Sequence, residues 1–533
     1  MKQRVTKTAV IFSFAGAAVC AMLMLGWYLT QHSLIIHGRP HTLNWEIVSL
    51  AERSDGKNVT PGSTLFSNDR LPLIRAYAWC VRQAGGRYHA FVAVQLFFLL
   101  LLMSAEIFLA WRLGGPLAAG CAPWIVVLSP GTLALAANPD DQLALQALIA
   151  TAFALLIWSD HQKRGWLSWL SIVPLLAGTQ ISVYGTNAMM FFFAFACGAG
   201  GFLAYHWVRH FRSKPTHAVA LINLCPLTLI IGLVLAVGLA LVYPHSGSKY
   251  YIQEINNPRL VQFWQNPLVF LAYPVDWFNY LAGPAVGLAT LAGLVLGVRY
   301  NRSAGLAAVS AWLCLPMLGL SLISKRQDFY FLPAAAAAYP LAALGLTAWP
   351  TKFVRHAAIL AVGLAAISTM LCSLLVMPTL KWDRFIGKFM VCEPYLTTPF
   401  RLDLSTPAPH FESWVARNCA PSGFKLLIVT DATWALSVFA LQAWIADPRL
   451  EPVDLIWTEN LGTHPRCIVT YLHQQSGFST LAENLGRMHI DSQPLPWVET
   501  RAQARIEALK RQSGTYQFRG GFNGYALFVP REP

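Results

Sequence analysis

The sequence predicts an α-helical polytopic membrane protein of about eleven spanning helices, followed by a small α/β domain. Three observations carry that reading. Charged residues make up 12% of the 533-residue chain and hydrophobic ones 55%, whereas a soluble chain of ordinary composition carries roughly 25% charge. Apolar runs of spanning length recur up to about residue 378, separated by short connectors. From Leu380 onward charge returns, and the pattern becomes one of short alternating segments.

The first segment has a basic start, Lys2, Arg4 and Lys7, and an apolar run from Ala9 to Leu29. That run exceeds the roughly 7–15 residues of a signal-peptide core, so it reads as a retained anchor. Further runs fall at 91–111, 116–136, 142–158, 166–183, 187–207, 217–242, 281–298, 304–323, 330–349 and 356–377. Pro123, Pro130, Pro174, Pro226, Pro284 and Pro316 do not argue against helix, because lipid-embedded helices tolerate proline better than soluble ones. The stretch 264–280 is apolar and aromatic but short and broken by proline, so it reads as interfacial.

Basic residues mark every second connector: Arg112, Lys163 with Arg164, the stretch 209–214, Arg299 with Arg302, and Lys352 with Arg355. They share the side of the basic N-terminus, which the positive-inside rule makes cytoplasmic. The opposite connectors, 31–90, 137–141, 184–186, 243–280, 324–329 and everything after about 378, then face outward. The expected division is a membrane domain over 1–378, with 31–90 as its first outer loop, and an extracytoplasmic domain over 379–533. The chain is expected in the inner (cell) membrane, with its N-terminus cytoplasmic and the C-terminal domain periplasmic. A formal charge of +14 raises the question of nucleic acid. Its dispersal in short clusters between apolar runs points to the lipid bilayer as partner and to no nucleic acid.

In the C-terminal part, strands are expected at 424–430, 453–457, 467–471 and 524–530, with a helix at 432–446. The run FRGGFNGYALF has the turn chemistry of a hairpin. Most of the ten cysteines lie in the apolar runs, whereas Cys80, Cys392, Cys419 and Cys467 face outward, where a disulfide is chemically permitted.

The outer connectors hold the candidates for chemistry. Glu46, in HTLNWEIVSL, follows the first span closely; Asp140 and Asp141, in NPDDQLAL, occupy a short turn between two strongly apolar runs. Carboxylates on one side of a helical bundle suit group transfer, in which an acceptor hydroxyl needs a general base. A phosphate leaving group needs cations and donors, which Lys325, Arg326, Lys249 and Arg259 supply. Each has a plainer alternative: Asp140 and Asp141 as helix caps, Glu46 as a solvated loop acid, Lys325 and Arg326 as lipid-headgroup contacts. Glu106 lies inside the second span, with Arg112 expected within snorkelling reach. His32, His37 and His41 have no close acidic or cysteine partner, so no metal site is assigned.

This order of features resembles the GT-C superfamily of membrane glycosyltransferases, in particular the branch of protein O-mannosyltransferases and lipid A aminoarabinose transferases. The resemblance runs through Trp45-Glu46 in LNWEIVSL, NDRLPLIRAY, Asp140-Asp141 in NPDDQLAL, and Lys325, Arg326 and Tyr330 in SKRQDFYFLPAAAAAYP. It implies a sugar donor on an undecaprenyl- or dolichyl-type phosphate and a lipid, polysaccharide or protein acceptor on the outer face. It also implies an inverting transfer, a first-loop acid as base, and Lys325, Arg326 and Tyr330 near the carrier phosphate. The family's first motif usually holds two adjacent acids, whereas this chain has Asn44-Trp45-Glu46-Ile47. Glu46 is the base designated by the resemblance, with Asp55 and Asp69 behind it. Some relatives use a divalent metal and others do not. The competing readings are a transporter or lipid flippase, and a noncatalytic assembly protein on the same scaffold.

Overall fold

The computed structural model describes residues 7–31, 71–85, 88–137, 141–182, 185–212, 282–300, 302–321 and 331–374, five strands between 425 and 530, and a few single positions between 230 and 278. The helices are α1 (Lys7–Gln31), α2 (Leu71–Gln83), α3 (Val92–Gly114), α4 (Pro116–Leu128), α5 (Pro130–Ala137), α6 (Gln142–His161), α7 (Ile172–Ile181), α8 (Gly185–Arg212), α9 (Pro284–Tyr300), α10 (Ala304–Ser321), α11 (Leu332–Ala335), α12 (Ala338–Thr347) and α13 (Lys352–Leu374). Two 3-10 segments, Tyr88–Phe91 and Gly165–Ser171, lead into α3 and α7.

Among the described residues six helices are long and apolar enough to cross a membrane, or seven when the bent pair α4–α5 counts as one span. The shorter apolar helices are Pro284–Tyr300 and Leu332–Thr347. The protein is therefore a multi-pass membrane protein. The predicted span at 217–242 and the interfacial stretch at 264–280 lie almost wholly outside the described residues, as does the domain boundary near 378.

Burial separates the inner helices from the lipid-facing ones. For α6, 83% of the apolar window is buried, against 22% for α1 and 11% for α13. Large apolar side chains, among them Phe353, Leu360, Leu364 and Ile367, are exposed along α13, as suits a hydrocarbon solvent. Around α6 pack α3 and α7, while α8 packs along α10 and α9 along α12.

Small residues set the closest of these contacts. A Cβ built on Gly293 of α9 would run into the Leu341 carbonyl, and one on Gly345 of α12 into the Ala289 carbonyl and the Gly293 amide. The two backbones touch, the packing that glycine permits where lipid offers no hydrophobic drive for association. In α8, Gly198 sits against Phe153, which stacks on Trp312 with ring centroids 4.5 Å apart.

The breaks have identifiable causes. Gly115, at φ 82°, takes a conformation that side chains oppose and ends α3; Pro116 opens α4. Between α4 and α5 the axis turns by 64°. Ser129, which precedes Pro130, is extended with ψ 115°, as pre-proline sterics favour. Its hydroxyl donates to the freed Ile125 carbonyl at 2.7 Å.

One end of this bundle gathers the ends that carry basic residues. Asp160 of α6 pairs with His206 of α8, and the Tyr205 hydroxyl donates to the Arg302 carbonyl at 2.9 Å. Gly305 of α10 faces Ile157 and Leu113, and Gly114 faces Thr347 of α12. The connectors with Arg112, Lys163, Arg164, Arg209, Arg299, Arg302 and Lys352 thus leave the same end, as the alternation of charge in the sequence anticipates. Trp166, Trp207 and Phe353 are exposed there, in the manner of interfacial anchors.

The strands are β1 (Lys425–Val429), β2 (Glu451–Asp454), β3 (Cys467–Tyr471), β4 (Tyr516–Phe522) and β5 (Tyr525–Pro530), in the order β2-β1-β3-β5-β4. β1 runs parallel to β2 and β3, with Leu427 opposite Val453 and Ile468. β5 is antiparallel to β3 and forms a hairpin with β4, irregular between Phe518 and Gly520. The FRGGFNGYALF run supplies that hairpin; the predicted helix 432–446 lies outside the described residues. The sheet, together with α2 from Ile74 onward, forms one compact unit, and α1 with the helices from α3 to α13 forms another.

Candidate active site

Of the residues assigned to catalysis or phosphate binding from the sequence, Asp141 is described. Glu46, Asp140, Lys249, Arg259, Lys325, Arg326 and Tyr330 lie outside the described residues, as do Asp55 and Asp69.

Asp141 stands at the start of α6, where its carbonyl accepts the Leu145 amide at 2.9 Å. Its backbone is already helical (φ −81°, ψ −15°), and its side chain makes no capping hydrogen bond. The plain capping role is therefore not the one its carboxylate plays. The carboxylate is fully buried and takes the Asn187 amide nitrogen at 2.9 Å on Oδ1 and 3.0 Å on Oδ2. Asn187 lies in the first turn of α8 and is equally enclosed. The amide orientation follows from charge, since only the NH2 group can face a carboxylate favourably.

This tie has a counterpart. Nineteen residues further along each helix, Asp160 and His206 pair at 3.2 Å. At 1.5 Å per residue that separation is about 28 Å, close to the hydrocarbon thickness of a bilayer. Hence α6 and α8 run parallel, joined by polar groups at both ends, with the 3-10 segment and α7 as the return crossing. Asp141 marks the end of the bundle opposite the basic connectors.

Neutral polar side chains continue inward from Asp141. Gln142 and Gln146 on α6 are buried, and the Gln146 amide donates to the Leu332 carbonyl at 2.9 Å. The Trp312 indole donates to the next carbonyl, that of Pro333, at 3.0 Å. Gln95 of α3 donates to the Leu135 carbonyl at 3.3 Å. Among the described residues the side-chain oxygens of Gln142, Gln146 and Asn187 accept no hydrogen bond.

Glu106 lies elsewhere in the bundle. It is fully buried, and among the described residues neither carboxylate oxygen has a hydrogen-bond partner. The expected approach of Arg112 does not occur. Six residues at 100° each place the two on different faces of α3. Glu106 instead lies within electrostatic range of Tyr339, whose hydroxyl shares a 2.6 Å hydrogen bond with Thr132.

Asn187, Gln146 and Trp312 were not singled out by the sequence. The one signal they offer is an uncharged polar or indole group inside an apolar run, a pattern that in lipid demands a partner. Among the described residues no three His, Cys, Asp or Glu side chains gather as a metal set.

No protein-family profile matches the sequence, and no curated protein is detectably similar to it in sequence. The fold, however, is similar to that of solved membrane proteins along nearly the whole chain. The apo structure of ArnT from Cupriavidus metallidurans, a lipid A aminoarabinose transferase, matches with a TM-score of 0.56 and 11% identity, over 97% of this chain and 98% of that one. The same enzyme bound to undecaprenyl phosphate matches with a TM-score of 0.53 and 12% identity, over 98% of each chain. An oligosaccharyltransferase of Archaeoglobus fulgidus, in complex with zinc and sulfate, gives a TM-score of 0.45 and 12% identity, over 89% of this chain and 70% of that one.

Proposed function

We propose that the protein is a glycosyltransferase that moves a sugar from a polyprenyl-phosphate carrier to a lipid, glycan or protein acceptor of the cell envelope. Transfer takes place on the outer face of the inner membrane, with the N-terminus cytoplasmic and the 379–533 domain extracytoplasmic. The observation that carries this reading is a fold similar to that of ArnT over nearly the whole chain with a buried, amide-held carboxylate, Asp141, at the end of the bundle opposite the basic connectors. The undecaprenyl phosphate held by the similar ArnT structure supports the choice of carrier.

In this reading Glu46 takes the proton of the acceptor hydroxyl as its oxygen bonds to the anomeric carbon. The bond from that carbon to the phosphate oxygen breaks, and polyprenyl phosphate leaves with the electron pair. Attack opposite the leaving group inverts the anomeric centre. Lys325, Arg326 and Tyr330, with Lys249 and Arg259, hold the departing phosphate by charge and hydrogen bonds. Asp140 and Asp141 belong to the acidic side of the site, and no step is routed through a metal ion.

The test is transfer from radiolabelled polyprenyl-phosphate sugars to envelope lipids and glycans by the protein in proteoliposomes, with and without a chelator. Glu46→Gln is expected to lower transfer by about 100-fold or more, the usual worth of a general base. Asp141→Asn and Arg326→Ala are expected to lower it as well. Full transfer by all three correctly folded variants would remove the assigned roles. Sugar or lipid movement across the bilayer without transfer would favour the transporter or flippase reading, and inactivity in both assays the assembly protein.

A further inference from the structure

The span that begins after Lys325, Arg326 and Tyr330 is broken near its start. In a continuous helix the amides of Ala336 and Ala337 would return to the carbonyls of Leu332 and Pro333. Both are given to the Ala334 carbonyl instead, Ala337 at 3.1 Å. Pro340 contributes to the break, because it has no N–H for the Ala336 carbonyl and its ring crowds that turn. Ala336 accepts the Tyr339 amide at 3.1 Å in a tighter 3-10 turn.

Two carbonyls are thereby left over in the interior of a membrane bundle, where an unmet acceptor is costly. Gln146 from α6 and Trp312 from α10 supply the missing donors. Both side chains are essentially solvent-free. Trp312 is also fixed in place by its stack on Phe153 of α6. Leu332 lies two residues beyond Tyr330, and Gln146 five residues beyond Asp141.

We infer that Gln146 and Trp312 are positioning residues: by replacing two backbone donors they fix where the broken span starts, at Leu332-Pro333, relative to the Asp141 end of α6. The catalytic part of this inference rests on the glycosyl-transfer reading; the structural part does not. Neither residue touches the reacting atoms. Their effect passes through the place at which the chain carrying Lys325, Arg326 and Tyr330 joins the bundle.

Gln146→Leu removes the amide at nearly constant volume, and Trp312→Phe removes the indole N–H while keeping a ring against Phe153. Thr151→Ala serves as a control on the same helix, since among the described residues its hydroxyl bonds within α6, to the Ala147 carbonyl. The full-length protein in nanodiscs is followed by deuterium uptake in peptides covering 331–339 and by steady-state transfer from a polyprenyl-phosphate sugar. Both variants are expected to take up deuterium there about tenfold faster, as loss of one buried hydrogen bond implies. KM for the lipid-linked donor should rise by about the same factor, with KM for the acceptor unchanged. Faster uptake in a protein whose wild type transfers no sugar would uphold the clamp and sink the functional reading. Unchanged uptake in both variants overturns the inference whatever the activity, and so does an active enzyme whose donor KM does not move.

Discussion

Asn187 holds Asp141 with a single amide nitrogen that lies almost equally far from the two carboxylate oxygens, at 2.9 and 3.0 Å. A buried carboxylate is tolerable only when its lone pairs are engaged. Asn187→Leu is therefore expected to cost about 2–4 kcal/mol, measured by thermal unfolding in nanodiscs. The double exchange Asp141→Asn with Asn187→Asp restores an amide–carboxylate pair with its polarity reversed. Recovery of stability without recovery of transfer would show that the charge is needed at position 141. Recovery of both would reduce Asp141 to a structural role.

The tie at the other end is expected to matter less. Asp160 and His206 are partly exposed, with side-chain exposures of 41% and 28%, and solvent screens such pairs to roughly 0–1 kcal/mol. A double-mutant cycle with Asp160→Asn and His206→Gln should return a coupling below about 1 kcal/mol. A value as large as that of the Asn187 tie would contradict the ranking by burial.

The α9–α12 contact predicts a contrast among glycines. Gly345→Val places side-chain atoms where the Ala289 carbonyl and Gly293 amide already are, and Gly293→Leu does the same at the Leu341 carbonyl. Both should abolish the monodisperse folded species on size-exclusion chromatography. Gly200, also helical, has open space where a Cβ would go. Gly200→Ala should be neutral or stabilise by up to about 1 kcal/mol through helix propensity.

Glu106→Leu is expected to leave stability unchanged or raise it by about 1–3 kcal/mol, because it removes a buried polar group with no partner among the described residues. Transfer by Glu106→Gln should equal that of the wild type. Loss of a sugar- or ion-translocation activity in that variant would instead make Glu106 part of a transport path.

The sequence displayed the helices more clearly than the site. Spanning length and alternating basic connectors are properties of continuous stretches, and they foretold α1, the apolar helices from α3 to α13 and the shared basic end, but not α2, which falls in the predicted outer loop. The run 116–136 gave no measure of its 64° bend, although Ser129-Pro130 marked the place. Likewise, 330–349 read as one span, because the donors that stabilise its break come from residues 146 and 312, remote in the chain. Asn187 escaped notice for the same reason: its partner is 46 residues away. Asp141 was legible because an acid in a very short turn between apolar runs requires an explanation by itself.

The two ties between α6 and α8 share one sequence offset, 46 residues. A residue inserted within either helix would rotate everything beyond it by about 100° and advance it 1.5 Å, so the rungs of this ladder could not both close. The return strand between the uprights is under no such constraint. Length changes that this architecture accommodates belong at the turns on either side of α7, near Gly165 and Ser182, and those that it refuses lie in α6 and α8.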